Sequence, residues 1–176
     1  MEVVAEARLV HHRLLRRVAD IDWSTWTPTD VATLVFVVQD GKILLIRKLR
    51  GLGVGKVNGP GGRLEPGETA EACAIREAQE ELCITPRGLE AMGELRFQFV
   101  DGYGLHCHVF RAGGLEGTPT ATEEAIPLWT PLDAIPWSSM WADDAHWLPL
   151  LLAGQRFQGR FVFDGDAMLD HALERA

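Results

Sequence analysis

The stretch GGRLEPGETAEACAIREAQEELCI, residues 61–84, constrains the fold of this chain more than any other. Its second half predicts a helix, and Glu77, Glu80 and Glu81 lie on one face of it because residues three and four apart are helical neighbours. Carboxylates are unfavourable near the C-terminal end of a helix, where the macrodipole is negative. A solvated acidic face is one interpretation, and a bound hard cation such as Mg²⁺, which takes oxygen ligands, is the other.

The rest of the chain predicts mostly strands. Residues 143–152 predict a second helix entered through Asp143 or Asp144, and residues 167–174 fit either helix or strand. Apolar residues three or four apart predict an amphipathic helix over residues 3–20. Because strands do not alternate strictly with helices, the pattern favours an α+β fold with a mixed β-sheet sandwich flanked by helices. Strands are predicted at 31–39, 42–48, 89–100, 104–112, 123–130 and 156–164.

Length and composition limit the kind of protein. A chain of 176 residues, 47% of them hydrophobic, fits one domain, placed at 29–176 after an N-terminal extension at 1–28. The net charge of −8 argues against a general nucleic-acid binder, although a metal can screen the phosphates of a nucleotide. The absence of a long apolar run or signal-peptide pattern predicts a cytoplasmic protein without a membrane partner. Three cysteines without CxxC spacing support neither a disulfide framework nor a cysteine-based zinc site.

The spacing within residues 61–84 resembles the Nudix box, the signature of the Nudix hydrolase family. That box reads Gly, five residues, Glu, seven residues, Arg-Glu, an apolar residue, any residue, Glu-Glu, any residue, Gly and an apolar residue. Cys83 departs from it, because it stands where the box has a glycine just past the helix, in a position that favours the left-handed conformation. A cysteine there either costs about 1 kcal/mol of backbone strain or ends the helix differently. The matching residues are Gly62, Glu68, Arg76, Glu77, Ala78, Glu80, Glu81 and Ile84.

The resemblance implies a loop–helix–loop, a metal site and a hydrolytic reaction. Nudix enzymes hydrolyse a nucleoside diphosphate linked to another group, by metal-assisted attack on phosphate. The pair matching Glu68 and Arg76 holds the motif together in the family. A further acid outside the box often assists, and Glu124 is the candidate here, ahead of Glu123; which glutamate acts as general base stays open. The metal ligands implied for Mg²⁺ or Mn²⁺ are Glu77, Glu80, Glu81, Glu124 and a backbone carbonyl at Gly61 or Gly62.

Residues 31–174 are similar to the MutT-homologue branch of the family, which acts on oxidised purine nucleoside triphosphates. The similarity is carried by KVNGPGGRLEPGE and by PWSSMWADDAHWLPLLLAGQRFQGRFVFDGDAMLDHAL. It implies that Asn58 hydrogen-bonds the base and that Trp141 stacks on it. Asp143 and Asp144 are implied to contact the edge of the base.

Physical chemistry supports these roles and leaves alternatives open. Adjacent buried carboxylates raise each other's pKa, so one aspartate can stay protonated and donate a hydrogen bond while the other accepts. The alternatives are helix capping for the aspartates and core packing for Trp141. Lys48 is a candidate contact to base or phosphate, or a solvated lysine. Phe97 is predicted in the pocket and Phe99 in the core, and His106, where the branch has a large apolar residue, is predicted to be structural.

Three functions follow from this reasoning. The first is hydrolysis of oxidised purine (deoxy)nucleoside triphosphates, such as 8-oxo-dGTP or 2-oxo-dATP, to monophosphate and pyrophosphate, which sanitises the nucleotide pool. The second is hydrolysis of a nucleotide sugar, a dinucleotide or an RNA 5′ end, the last disfavoured by the missing basic patch. The third is a nucleotide-sensing module without turnover, disfavoured by the three intact box glutamates. We expect a small-molecule nucleotide partner and a monomer, or a homodimer formed through the N-terminal helix.

Overall fold

Strands make up most of the structure. A computed structural model describes residues 15–176. Two α-helices lie in this range, α1 (Ala70–Leu82) and α2 (Asp144–Leu152), and neither is long and apolar enough to cross a membrane. Short 3₁₀ turns occupy Val18–Asp20 and Trp137–Ser139. The strands are β1 (Asp30–Gln39), β2 (Lys42–Lys48), β3 (Val57–Asn58), β4 (Gly61–Arg63), β5 (Thr85–Arg87), β6 (Glu90–Phe99), β7 (Gly104–Ala112), β8 (Gly114–Glu116), β9 (Ala125–Pro131), β10 (Phe157–Asp164) and β11 (Ala167–Arg175).

The main sheet is mixed, with the order β11-β10-β6-β7-β1-β2-β3. β1 pairs parallel with β7, and β6 pairs parallel with β10, whereas the other neighbours in this order are antiparallel. β4 adds to β1, β9 adds to β2, and β5 pairs with β8 in a small separate sheet. This architecture confirms the predicted α+β class, and it resolves residues 167–174 as strand within β11.

The two faces of the sheet carry two hydrophobic cores. Val35 of β1 and Ala78 of α1 belong to one core, and Phe36 of β1 and Trp147 of α2 belong to the other. Successive side chains of a strand point to opposite faces, so β1 contributes to both cores. This explains why its sequence is continuously apolar instead of alternating. The helices therefore cover opposite faces of the sheet.

The segment before β1 lies against the outer strands. The predicted helix over residues 3–20 falls mostly outside the described residues. Within the described part, Arg17 has an extended backbone and Val18–Asp20 form only a 3₁₀ turn, so the prediction of α-helix up to residue 20 is wrong there. Further along, the Trp26 indole donates to the side-chain oxygen of Gln98 on β6 at 2.8 Å. This bond holds the segment on the sheet face that α1 occupies elsewhere.

Candidate active site

Helix α1 begins at a favourable capping residue and ends at a strained left-handed residue. Thr69 is the N-cap, and its hydroxyl oxygen accepts a hydrogen bond from the Ala72 N–H at 3.1 Å. Cys83 follows the helix with φ 60° and ψ 34°, in the left-handed region. Its N–H donates to the Gln79 carbonyl at 3.0 Å. The cysteine therefore adopts the conformation for which glycine is favoured, at a cost of about 1 kcal/mol.

Arg76 joins the acidic residues of the box. Its Nε and Nη2 donate to the two carboxylate oxygens of Glu68 at 2.7 and 2.8 Å, a bidentate pair. Its Nη1 donates to Glu77 at 2.9 Å and to Glu80 at 3.1 Å. The hydrogen bonds from Arg76 lower the pKa of Glu68 to about 2. Through these contacts Arg76 fixes the loop before α1 to the helix itself.

Two glycines allow the loop to approach the sheet and helix closely. A Cβ on Gly61 would lie 1.9 Å from the carbonyl oxygen of Thr33 on β1. A Cβ on Gly62 would lie 2.4 Å from the carboxyl carbon of Glu77. The Gly61 N–H also donates to the Glu81 carboxylate at 2.9 Å. Glycine at Gly61 is therefore required for β4 to lie against the backbone of β1, whereas glycine at Gly62 leaves room for the Glu77 carboxylate.

A cavity of about 330 Å³ opens beside this acidic face. Glu77, Glu81 and Glu124 line it, together with Lys48. Burial raises the pKa of Glu81 to about 8, and burial also raises the pKa of Glu77. Glu80 lies outside the cavity wall, with 49% of its side chain exposed and its carboxylate paired with Arg76.

Glu124, the assisting acid predicted outside the box, also lies at this cavity. Glu124 lines it and pairs with the Arg50 guanidinium, whereas Glu123 is exposed and does not line it. The donor set at this part of the cavity consists of half-buried and buried carboxylates, with the backbone of Gly61 beside them. Hard divalent cations prefer such oxygen donors, and a cation would offset the burial and the repulsion from Glu77 and Glu124 that raise the pKa of Glu81. The residues present therefore fit a divalent metal.

A second part of the cavity is built from two buried aspartates. Asp143 accepts a hydrogen bond from the Trp147 indole at 2.7 Å, and the buried Oδ2 of Asp144 has no hydrogen-bond partner within residues 15–176. Burial raises the pKa of both carboxyls, and the charge of Asp143 raises that of Asp144 further. Asp143 precedes α2, but its side chain makes no capping bond within the described chain. Helix capping therefore does not account for the aspartate pair.

Aromatic side chains form the walls between these groups. Trp141 lies edge-on to Phe99 and Phe163, with ring centroids 6.3 and 5.6 Å away. Lys56 Nζ lies 5.1 Å from the centroid of the Trp141 ring, within cation–π distance. Phe97 lines the cavity, and Phe99, which was predicted in the core alone, belongs both to the core and to the cavity wall. Asn58 lines the same cavity.

Sequence reasoning missed several lining residues. Leu105 and Cys107 line the cavity from β7. They lie two residues apart on a predicted strand, so the sequence already indicated that their side chains share one face. Tyr103 precedes them and donates its hydroxyl proton to the Asp30 carboxylate at 2.8 Å. Phe163 comes from β10, and only the pairing of β10 with β6 brings it to the cavity.

The fold and the site together define a class of enzyme. A loop–helix–loop that presents clustered carboxylates to a cavity large enough for a small ligand is suited to metal-assisted hydrolysis of phosphate anhydrides. The NUDIX domain family matches residues 28–151, so this chain belongs to the Nudix family. Nudix hydrolases generally use a divalent metal, in agreement with the carboxylates of the cavity.

The chain is similar to individual proteins of known name over most of its length. The chain is 46% identical over 144 residues to the oxidized purine nucleoside triphosphate hydrolase of Danio rerio, covering 81% of this chain and 92% of the relative. It is 43% identical over 143 residues to the protein of the same name from Mus musculus, covering 80% and 92% of the two chains. Among solved structures, a MutT protein from Bacillus halodurans superimposes with a TM-score of 0.75 at 27% identity, covering 82% of this chain and 97% of that one.

Proposed function

We propose that this protein hydrolyses oxidised purine (deoxy)nucleoside triphosphates to nucleoside monophosphate and pyrophosphate. The observation that carries the proposal is one cavity that joins Glu77, Glu81 and Glu124 to Trp141 and the buried Asp144. Carboxylates suit a metal that binds phosphates, and an aromatic ring beside buried hydrogen-bonding groups suits a base. The names of the Danio rerio and Mus musculus relatives support the same substrate class.

The phosphate part of the reaction is assigned to the acidic side of the cavity. Lys48 offers a positive charge to the phosphates there. When bound, the metal neutralises phosphate charge and assists attack by water. Mg²⁺ is the proposed ion and Mn²⁺ is an alternative, since both accept carboxylate oxygens. The proposed metal ligands are Glu77, Glu80, Glu81, Glu124 and the backbone of Gly61. The ion pair of Glu68 and Arg76 holds the loop that contains Gly62 in place.

The base is assigned to the aromatic side. Trp141 stacks on the purine, and Phe97 forms part of the wall behind it. Asn58 accepts a hydrogen bond from the Gly59 N–H at 2.8 Å, and its amide NH₂ makes no hydrogen bond within residues 15–176, so it can donate to the base. Asp144, neutral because of its raised pKa, donates a hydrogen bond while the ionised carboxylate of its neighbour Asp143 accepts.

The proposal also includes the domain organisation of the protein and its location in the cell. The hydrolase domain spans 29–176, and residues 1–28 form an extension that either packs on its own domain or joins two copies in a homodimer. A cytoplasmic location is supported by the free thiols of Cys73, Cys83 and Cys107, which suit a reducing compartment.

Steady-state pyrophosphate release with Mg²⁺ tests the function. The substrates are 8-oxo-dGTP, 2-oxo-dATP, dGTP and dATP, and we expect kcat/KM to favour at least one oxidised purine over its unmodified counterpart. Glu80→Gln should abolish turnover, whereas Glu71→Gln, an exposed acid in the first turn of α1, should not change it.

The outcomes separate the two parts of the proposal. Slow turnover without preference, still abolished by Glu80→Gln, would reject the base pocket and leave the metal site in place. Nucleotide sugars and dinucleotides would then be the substrates to examine. Absence of turnover on every nucleotide, with tight binding retained, would favour a sensing module instead.

A further inference from the structure

A second cluster of side chains of metal-ligating types lies away from the cavity, on the opposite face of the sheet. It consists of Glu94 on β6 and of His106 and His108 on β7. Alternation along the strands points these three side chains away from the face that carries Phe97 and Leu105. Glu94 lies directly opposite His108 in the antiparallel pairing of β6 and β7, so the cluster follows from strand register.

The distances in this cluster are close to those of a tetrahedral metal site. His106 Nε2 lies 3.5 Å from Glu94 Oε2, and His108 Nδ1 lies 3.6 Å from Glu94 Oε1. The three potential ligand atoms all lie within 4.8 Å of one another. A zinc ion at about 2.0–2.1 Å from tetrahedral ligands places neighbouring ligand atoms about 3.3 Å apart. Small side-chain rotations therefore bring all three groups onto one ion.

Among the described residues, His106 makes no hydrogen bond through its Nε2 atom, although Glu94 lies beside it. Its Nε2 is buried without a hydrogen-bond partner within residues 15–176. Buried polar atoms almost always have a hydrogen-bond partner, so this nitrogen is available to a bound ion. Trp26 packs edge-on against the ring, with centroids 6.5 Å apart, while Glu94 keeps 42% of its side chain exposed as a route for an ion.

The surroundings of His106 favour its neutral imidazole, the form that binds metal. Burial lowers the pKa of His106, and the neighbouring His108 and Arg96 lower it further, against the opposing effect of Glu94. Arg96 lies opposite His106 across β6 and β7. Glu94 supplies the negative charge of the cluster.

We propose that Glu94, His106 and His108 bind a divalent transition-metal ion of the zinc class, separate from the carboxylates of the cavity. Two imidazoles and one carboxylate, with a fourth position left for water, form a donor set that Zn²⁺ commonly takes. Mg²⁺ prefers oxygen donors, so the two sites select different ions. The ion links β6 to β7, the strands that carry Phe97 and Leu105 to the cavity, and so stabilises that wall.

Cobalt binding tests the site, because Co²⁺ reports a low-coordinate nitrogen and oxygen environment by visible absorption. Untagged protein is stripped with a chelator, returned to excess Mg²⁺ and titrated with Co²⁺. We expect one equivalent to bind and Zn²⁺ to displace it. His106→Leu, which replaces the imidazole by a large apolar side chain, and His108→Gln should each weaken Co²⁺ binding about 100-fold or more. Even residues that contact only the metal ligands contribute about 10–100-fold to metal affinity.

Two controls make the result specific. The double variant His146→Gln with His171→Gln lacks another pair of adjacent histidines, whose ring centroids lie 4.1 Å apart, and it should bind Co²⁺ normally. Glu77→Gln in the cavity should also leave the spectrum unchanged. Zn²⁺ should raise the Tm of the wild type and not that of His108→Gln. The proposal is overturned if the wild type gives no saturable spectrum in Mg²⁺, if both cluster variants bind like the wild type, or if Glu77→Gln abolishes the signal.

Discussion

Asp144 offers a direct test of how the cavity recognises a base. Its Oδ2 is buried without a hydrogen-bond partner within the described residues, and burial together with the charge of Asp143 raises its pKa. A protonated Asp144 can donate to a base, and it does so only below that raised pKa. Asparagine retains the donor and acceptor of a neutral carboxyl group but does not titrate, whereas alanine removes both. The two substitutions therefore separate hydrogen bonding from titration.

The expected size of the effect follows from this burial. A polar group of the substrate left unpaired in a buried site costs about 1–3 kcal/mol, or about 5- to 150-fold in kcat/KM. Asp144→Ala should lower kcat/KM for the preferred oxidised purine by this factor. Asp144→Asn should retain activity on a base that accepts a hydrogen bond, and should lose the decline that the wild type shows as pH rises through the pKa of Asp144.

The assay is kcat/KM for 8-oxo-dGTP and 2-oxo-dATP between about pH 5 and about pH 9. Asp133→Asn, at an exposed position outside the cavity, serves as the control and should behave like the wild type. The reasoning would be refuted if Asp144→Ala stayed within about twofold of the wild type on every substrate. It would also be refuted if Asp144→Asn kept the pH dependence of the wild type.

Three further predictions concern stability and stacking. In protein freed of divalent metal, the free energy of unfolding should fall as pH rises from 4.5 to about 8, because Glu81 has a pKa of about 8 in the fold against an ordinary value of 4.5. Glu81→Gln should recover about 3 kcal/mol of this loss at pH 7 in urea denaturation, and an unchanged pH slope would contradict it. Trp141→Ala should weaken nucleotide binding about 5- to 150-fold, since base stacking on an aromatic ring contributes about 1–3 kcal/mol. The exposed Trp137→Ala is its control, and equal effects of the two changes on KM would argue against stacking. Cys83→Gly should raise the free energy of unfolding by about 0.5–1 kcal/mol because it relieves a left-handed cysteine, and a loss of stability would show that the conformation is not strained.

Features determined by local sequence were predictable. The cap at Thr69, the left-handed residue at Cys83 and the acidic face of α1 all depend on neighbours within a few positions. The cavity-lining residues Glu77 and Glu81 were predictable as neighbours because their spacing on a helix places them on a common face. The family followed from the same spacing, and the comparison with known proteins confirmed it.

Features that depend on strand register were not predictable. Phe163 reaches the cavity only through pairing of β10 with β6, and the double role of Phe99 depends on where α2 packs. The last strand fitted both helix and strand, and pairing with β10 decided it. The closeness of Glu94 to His106 and His108 likewise appears only once β6 and β7 are aligned. Long-range pairing, and not local preference, determined each of these outcomes.

The order of the cavity residues along the chain has a consequence for synthesis. Glu77, Glu81 and Glu124 all precede β9, whereas Trp141 and Phe163 follow it. A ribosome therefore completes the acidic wall first and adds much of the aromatic wall later, so a nascent chain ending after β9 holds carboxylates without the tryptophan beside them. Exchange between relatives of the segment that follows β9 accordingly replaces Trp141 and Phe163 while leaving every carboxylate of α1 untouched.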